Sequence, residues 1–228
     1  MYQYLNLFAK AISLQVMTYM FFRESFDVKR RSWLLTLGTS AIFSVISTRN
    51  IYIFVNSAYE GTTLALTTNR DPFDCATIIW LASYLSLDCV IGLIDYPSQL
   101  RIDTTWIHHT IFIIGCFIVL NTNTCSLFVL FLPFEIPTFV MALGTVFPSL
   151  RNDFLFGATF FAFRIVYQSI LFGYWLTVPG LPHGMIISAC LPTTAMHFIW
   201  FYKWCRGYLF KGKLETQVIE DARTPQNR

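Results

Sequence analysis

Apolar residues run in long blocks along this chain, and the polar positions between them fall in short clusters. Seven blocks can be drawn, over residues 5–22, 33–55, 77–94, 105–120, 125–147, 154–177 and 185–202. A helix that crosses a bilayer needs roughly 17–25 largely apolar residues, so each block is a candidate span. The fourth is short, and the first is interrupted by Lys10. The connections are brief and carry turn residues: Asp71-Pro72, Tyr96-Pro97, Asn121-Thr122-Asn123, Pro148 and Pro179-Gly180-Leu181-Pro182. No soluble domain fits between them. The pattern predicts an all-α membrane protein built as one bundle.

Composition narrows the class. Of the 228 residues 55% are hydrophobic and only 13% charged, against about 25% charged in an average soluble chain. The 18% aromatic content, with 23 Phe, suits lipid-facing and interfacial surfaces. A net charge of +3 gives no ground for nucleic-acid binding. Six cysteines show no CxxC or Cys/His zinc spacing, so no metal site is expected. Most sit in apolar runs, where a free Cys acts as a small hydrophobe, although Cys75 and Cys125 could meet on one membrane face. The first block has no basic stretch before it and no clear cleavage site, so it reads as a retained helix over residues 1–32 with its following basic loop.

The position of the charges predicts orientation. Arg23, Lys29, Arg30, Arg31, Arg101, Arg151 and the tail residues Lys203, Arg206, Lys211 and Lys213 fall on one set of connections. The other set holds little beyond Arg70 and Arg49. The positive-inside rule makes the basic side, and with it the C-terminus, cytoplasmic. The polar tail, residues 212–228, has a composition that stays disordered.

Several polar groups fall at membrane depth. Counted along ideal helices, Asp88, Glu135 and Arg164 lie about 15 Å into their spans, and His197 about 18 Å. His108 and His109 open the fourth block. Exposing these groups to hydrocarbon is costly, so they should face inward and pair or line a wet cavity. Histidine can move a proton near neutral pH or act as a nucleophile, but the pair can equally cap a helix at the membrane surface. Pro133 and Pro137 bracket Glu135 and remove backbone donors there, which makes a helix break and marks Glu135 as partner for the histidines. A carboxylate bonded to imidazole would fix its tautomer. For Arg164 the expectation is a buried ion pair with Glu135 or Asp88. A satisfied core histidine is as good a reading of His197 as a ligand. Asp103 can cap the fourth helix.

These segments, in order, resemble the TLC-domain family of multispanning lipid proteins, which includes ceramide synthases. The resemblance covers residues 33–211 and rests on Ala82-Ser83-Tyr84-Leu85-Ser86-Leu87-Asp88, Trp106-Ile107-His108-His109-Thr110, Phe134-Glu135-Ile136-Pro137-Thr138, Phe160-Phe161-Ala162-Phe163-Arg164-Ile165 and Trp200-Phe201-Tyr202-Lys203. It implies a ring of six helices around a central cavity, here with one additional N-terminal helix, and a location in the endoplasmic reticulum. In ceramide synthases the His-His pair is needed for acyl transfer from acyl-CoA to a sphingoid amine, and that role carries over to His108 and His109. The synthases have an HDxxD-type motif on the following helix, where this chain has the single carboxylate of Glu135. His197 stands where relatives usually carry Asn. In these respects the chain is similar to the smaller TLC-domain proteins.

Three functions follow as expectations. The first is an acyltransferase-like enzyme of lipid or sphingolipid metabolism, with His108, His109, Glu135 and Asp88 catalytic, Arg164 and His197 binding substrate, acyl-CoA as substrate and no cofactor. The second is a non-enzymatic protein that binds lipid through the same groups and regulates membrane composition. The third is a transporter, for which no inverted repeat is visible.

Overall fold

The computed structural model describes residues 2–67 and 71–223. Among them there is no strand, and seven long helices carry the chain. They are α1 (Tyr2–Phe22), α2 (Leu34–Tyr59), α3 (Pro72–Asp95), α4 (His108–Thr122), α5 (Cys125–Val146), α6 (Asp153–Thr177) and α7 (His183–Arg223). All but α2 are long and apolar enough to cross a membrane, and these six fit a multi-pass membrane protein. The seven expected blocks are therefore all helical, but the second lacks the apolarity of the rest. Although 26 residues long, α2 carries Arg49 and buries Thr39, Ser40, Ser47, Asn50 and Ser57. The block interrupted by Lys10 does qualify.

The surface is apolar where a soluble protein would be polar. Along α4, Ile111, Ile114, Phe117 and Ile118 are all exposed, Phe117 to 62%, as is Ile107 just before it. Contiguous apolar surface of this kind needs a non-aqueous neighbour. Between helices in lipid, apolar burial supplies little net attraction, so close packing and hydrogen bonds hold the contacts. Neighbours pack in the order α4, α3, α2, α5, α6, α7, with α1 against α3. Gln15 of α1 donates to Ser83 of α3 at 3.0 Å. Gly157 of α6 allows Trp204 of α7 to lie against its backbone, because a Cβ there would fall 2.0 Å from the indole.

Charged anchors sit at the two ends of α3. At its start Asp71 caps the helix, accepting from the Phe73 amide at 2.7 Å ahead of Pro72 in the first turn. Arg49 of α2 reaches Asp74 at 2.7 Å and Asp71 at 3.2 Å. At the far end Asp95 pairs with Arg31 at 3.0 Å and accepts the Tyr19 hydroxyl. The turn between α4 and α5 is made by Asn123, whose φ of 59° is the left-handed conformation that asparagine tolerates best after glycine.

The two prolines break α5 as their spacing predicts. Residues Val129–Phe134 form a 3-10 segment, and the α-helix resumes at Glu135. The Val129 carbonyl would bond the amide four residues on, which in Pro133 is missing. Asn50 of α2 replaces it, its buried amide donating to that carbonyl at 2.9 Å. Leu130 O accepts from the Tyr167 hydroxyl at 2.9 Å, and Phe134 O from Arg164 Nε at 3.0 Å. The Val129 and Leu130 carbonyls, four and three residues before Pro133, are thus bonded by neighbouring helices, as a break at membrane depth requires.

Helix α7 continues as far as Arg223, so the backbone of the polar tail is helical to that point rather than irregular. Residues 224–228, Arg70 and the side chains of Asp103, Lys211 and Lys213 lie outside the described residues.

Candidate functional site

Asp88, His108, His109, Glu135, Arg164 and His197 all line one cavity of about 580 Å³. They come from five helices, α3 to α7; rise along the helix puts Asp88, Glu135, Arg164 and His197 at similar depth, while His108 and His109 stand at the start of α4. The walls between them are apolar, with Leu81, Leu85, Phe112, Phe131 and Leu132. Gln99, Arg101 and Thr105, from the connection between α3 and α4, line the same space.

Two π-helical turns shape the site. One, Ile102–Ile107, runs directly into His108, and the other, Phe161–Tyr167, contains Arg164. An extra residue per turn changes the direction in which later side chains leave the helix, and such turns are frequent at functional sites. Nothing in the hydropathy pattern reveals them.

His109 is buried, and its acidic neighbour is Asp88 rather than Glu135. Its Nδ1 lies 3.7 Å from Asp88 Oδ2 and 3.5 Å from Cys89 Sγ. The first distance is within ion-pair range and beyond a hydrogen bond. Asp88 is held on its other oxygen by the Tyr96 hydroxyl, which donates at 2.6 Å. Burial and the adjacent carboxylate push the Tyr96 phenol above the ordinary tyrosine range, so it remains a donor. The order Tyr96, Asp88, His109 directs Nδ1 toward the acid. His109 Nε2 has no hydrogen-bond partner among the described residues. His108 is half-buried and packs on Phe112, ring centres 4.6 Å apart, and on His109 at 5.7 Å. Neither of its nitrogens is hydrogen-bonded among the described residues.

Glu135 and Arg164 sit side by side without the ion pair expected of them. Among the described residues no acid lies within 4.0 Å of the guanidinium. Its Nη2 donates to Thr138 Oγ1 at 2.7 Å and its Nε to the Phe134 carbonyl, while its carbon lies 5.3 Å from the centre of the Phe160 ring. Thr138 also interacts with the Glu135 carboxylate, one turn before it. Arginine is therefore held by the Phe134 carbonyl and the Thr138 hydroxyl at the point where the helix resumes.

His197 is buried, with one ring nitrogen bonded. Its Nδ1 lies 2.6 Å from the side-chain amide of Gln168. In the orientation that suits every neighbour, the Gln168 nitrogen donates to His197 Nδ1 and to the Arg164 carbonyl at 2.8 Å, and its oxygen accepts from Thr194. That places the imidazole proton on Nε2. Phe134 and Phe160 meet the ring edge-on at 5.6 and 5.8 Å.

Tyr96, Gln168 and Thr138 escaped sequence reasoning. Tyr96 reads as part of a Tyr-Pro turn, and Gln168 and Thr138 as polar residues without a pattern. Among the described residues no group of three or more His, Cys, Asp or Glu side chains is placed to hold a metal ion. Compared with protein-family models, with curated proteins and with solved structures, the chain matches none.

Proposed function

We propose that this is a multi-pass membrane protein of lipid metabolism or homeostasis, whose cavity carries out His-dependent acyl transfer. The observation that supports this most is the cavity itself: apolar walls suited to an acyl chain, with ionisable groups from five helices gathered in it. The resemblance to the TLC-domain family adds to the reading. It extends it to a ring of six helices around the cavity, with α1 accessory, and to a fatty acyl substrate such as acyl-CoA with a sphingoid or related amine. The basic connections then face the cytoplasm, with the C-terminus, and the membrane is that of the endoplasmic reticulum.

The chemistry follows from the arrangement around His109. Asp88 orients Nδ1 and leaves Nε2 to take the proton of an incoming amine or hydroxyl as it attacks the thioester carbonyl. The acyl–sulfur bond breaks, the acyl–nitrogen or acyl–oxygen bond forms, and the imidazolium returns its proton to the leaving thiolate. Asp88 stabilises the imidazolium between these steps, the role of the acid in triads generally. His108 contributes a second ring to the wall, and Glu135 holds Arg164 in place through Thr138.

The test is turnover of fluorescent acyl-CoA and a sphingoid amine by the purified protein in proteoliposomes. His109→Ala should lower the rate by about 10²–10⁴, the usual worth of general acid–base help. Equal rates in the wild type and the His108→Ala/His109→Ala double variant would exclude catalysis by the pair.

A further inference from the structure

Away from the cavity, two cysteines from distant parts of the sequence meet. Cys75 lies in the first turn of α3 and Cys125 is the first residue of α5. Their sulfurs approach to 3.0 Å, about 1 Å more than an S–S bond, and both side chains are buried, at 2% and 0% exposure. Packing against Val129 and Val119 holds them in one core cluster. The ion pairs of Arg49 with Asp71 and Asp74 mark this end of α3. The other end, with Asp95 and Arg31, is about 30 Å away along the helix, 20 residues at 1.5 Å each. It carries the basic connections.

We infer that Cys75 and Cys125 form a disulfide in the mature protein, joining the start of α3 to the start of α5. With the basic end cytoplasmic, the pair faces the lumen, where disulfides form and persist. The compartment rests on the orientation proposed above, whereas the juxtaposition does not. The co-reactant is a disulfide of the RSSR class, such as oxidised glutathione or an oxidoreductase. Cys75 thiolate attacks one sulfur of RSSR and releases RSH, and Cys125 thiolate then displaces the second. Two cysteine thiols become one disulfide, and two electrons and two protons pass to RSSR. The link closes a loop of roughly 50 residues, long enough to restrict the unfolded chain substantially.

The test uses the full chain produced in a eukaryotic secretory membrane, alkylated with N-ethylmaleimide before lysis and again during denaturation so that buried thiols react, then digested and mapped by mass spectrometry. The expected product is a peptide pair joined through Cys75 and Cys125, lost on reduction, with Cys89, Cys116, Cys190 and Cys205 alkylated. Full alkylation of Cys75 and Cys125, or a link from either to another cysteine, overturns the inference. A second arm treats purified, reduced protein with oxidised glutathione. If the link forms there but not in cells, the orientation fails while the geometry stands; if it forms in neither, the geometry fails. Reduction of the linked protein should lower its thermal midpoint by about 5–15 °C. The Cys75→Ser/Cys125→Ser variant should show no change with reductant, and a wild type equally insensitive would contradict the clamp.

Discussion

Replacing Asn50 by Ala removes the side chain that bonds the Val129 carbonyl in place of the missing Pro133 amide. The amide is fully buried and bonds the Val129 carbonyl at 2.9 Å. Without it that carbonyl keeps at most the shorter 3-10 bond from the amide three residues on, and removing a partner from a buried acceptor costs about 1–3 kcal/mol. For a chain of this size each kcal/mol moves the thermal midpoint by about 2–4 °C. The expected fall is thus about 2–12 °C, read by thermal denaturation in detergent. The sharper form is a double-mutant cycle with Pro133→Ala, which restores an amide four residues after Val129. In that background Asn50→Ala should cost distinctly less, with a coupling of about 0.5–3 kcal/mol. Strictly additive losses would refute the claim that Asn50 and Pro133 answer one another.

Gly157→Ala places a methyl 2.0 Å from the Trp204 indole, which Phe201 and Tyr208 already hold by stacking at 5.8 and 5.1 Å. Overpacking of this kind costs about 1–3 kcal/mol, and an unchanged thermal midpoint would show that Trp204 moves freely. Asp88→Asn should reduce acyl transfer by roughly 10–10³-fold while leaving the protein folded. A charge 3.7 Å from the imidazole is worth about 1 kcal/mol at water-like screening and about 4 at the intermediate screening of partly buried pairs. Undiminished turnover in this variant would remove Asp88 from the mechanism. A tag placed after Arg228 should be digested by protease added to sealed microsomes, and protection of the tag would reverse the orientation.

The helices, the proline break and the membership of the cavity were legible in the sequence because each follows from position along one helix. Hydropathy runs locate the helices, Pro133 and Pro137 locate the missing donors, and rise per residue aligns Asp88, Glu135, Arg164 and His197. What could not be read is how each helix is rotated against its neighbours. That rotation gives His109 to Asp88 instead of Glu135, and hands Arg164 to a backbone carbonyl and Thr138. The two π-helical turns alter rotation locally, by one residue, in segments whose composition looks ordinary. His197 was readable as a buried histidine, but its partner Gln168 lies 29 positions away on another helix. The polarity of α2 is hard to read for a related reason: its serines are spread among apolar residues and bond carbonyls one turn back in the same helix, while Thr36 meets Tyr84 of α3 and Asn50 is bonded to α5.

The proposed function requires first that the cavity take up a lipid through its polar cluster. Native mass spectrometry of the protein released from membranes in mild detergent measures this directly, comparing wild type with the His108→Ala/His109→Ala variant at matched folded fractions. The expected result is a lipid or acyl species retained by the wild type, close to one per protein and enriched over the surrounding membrane, and largely lost from the variant. Identical bound lipid in both, in the proportions of the bulk membrane, would contradict it.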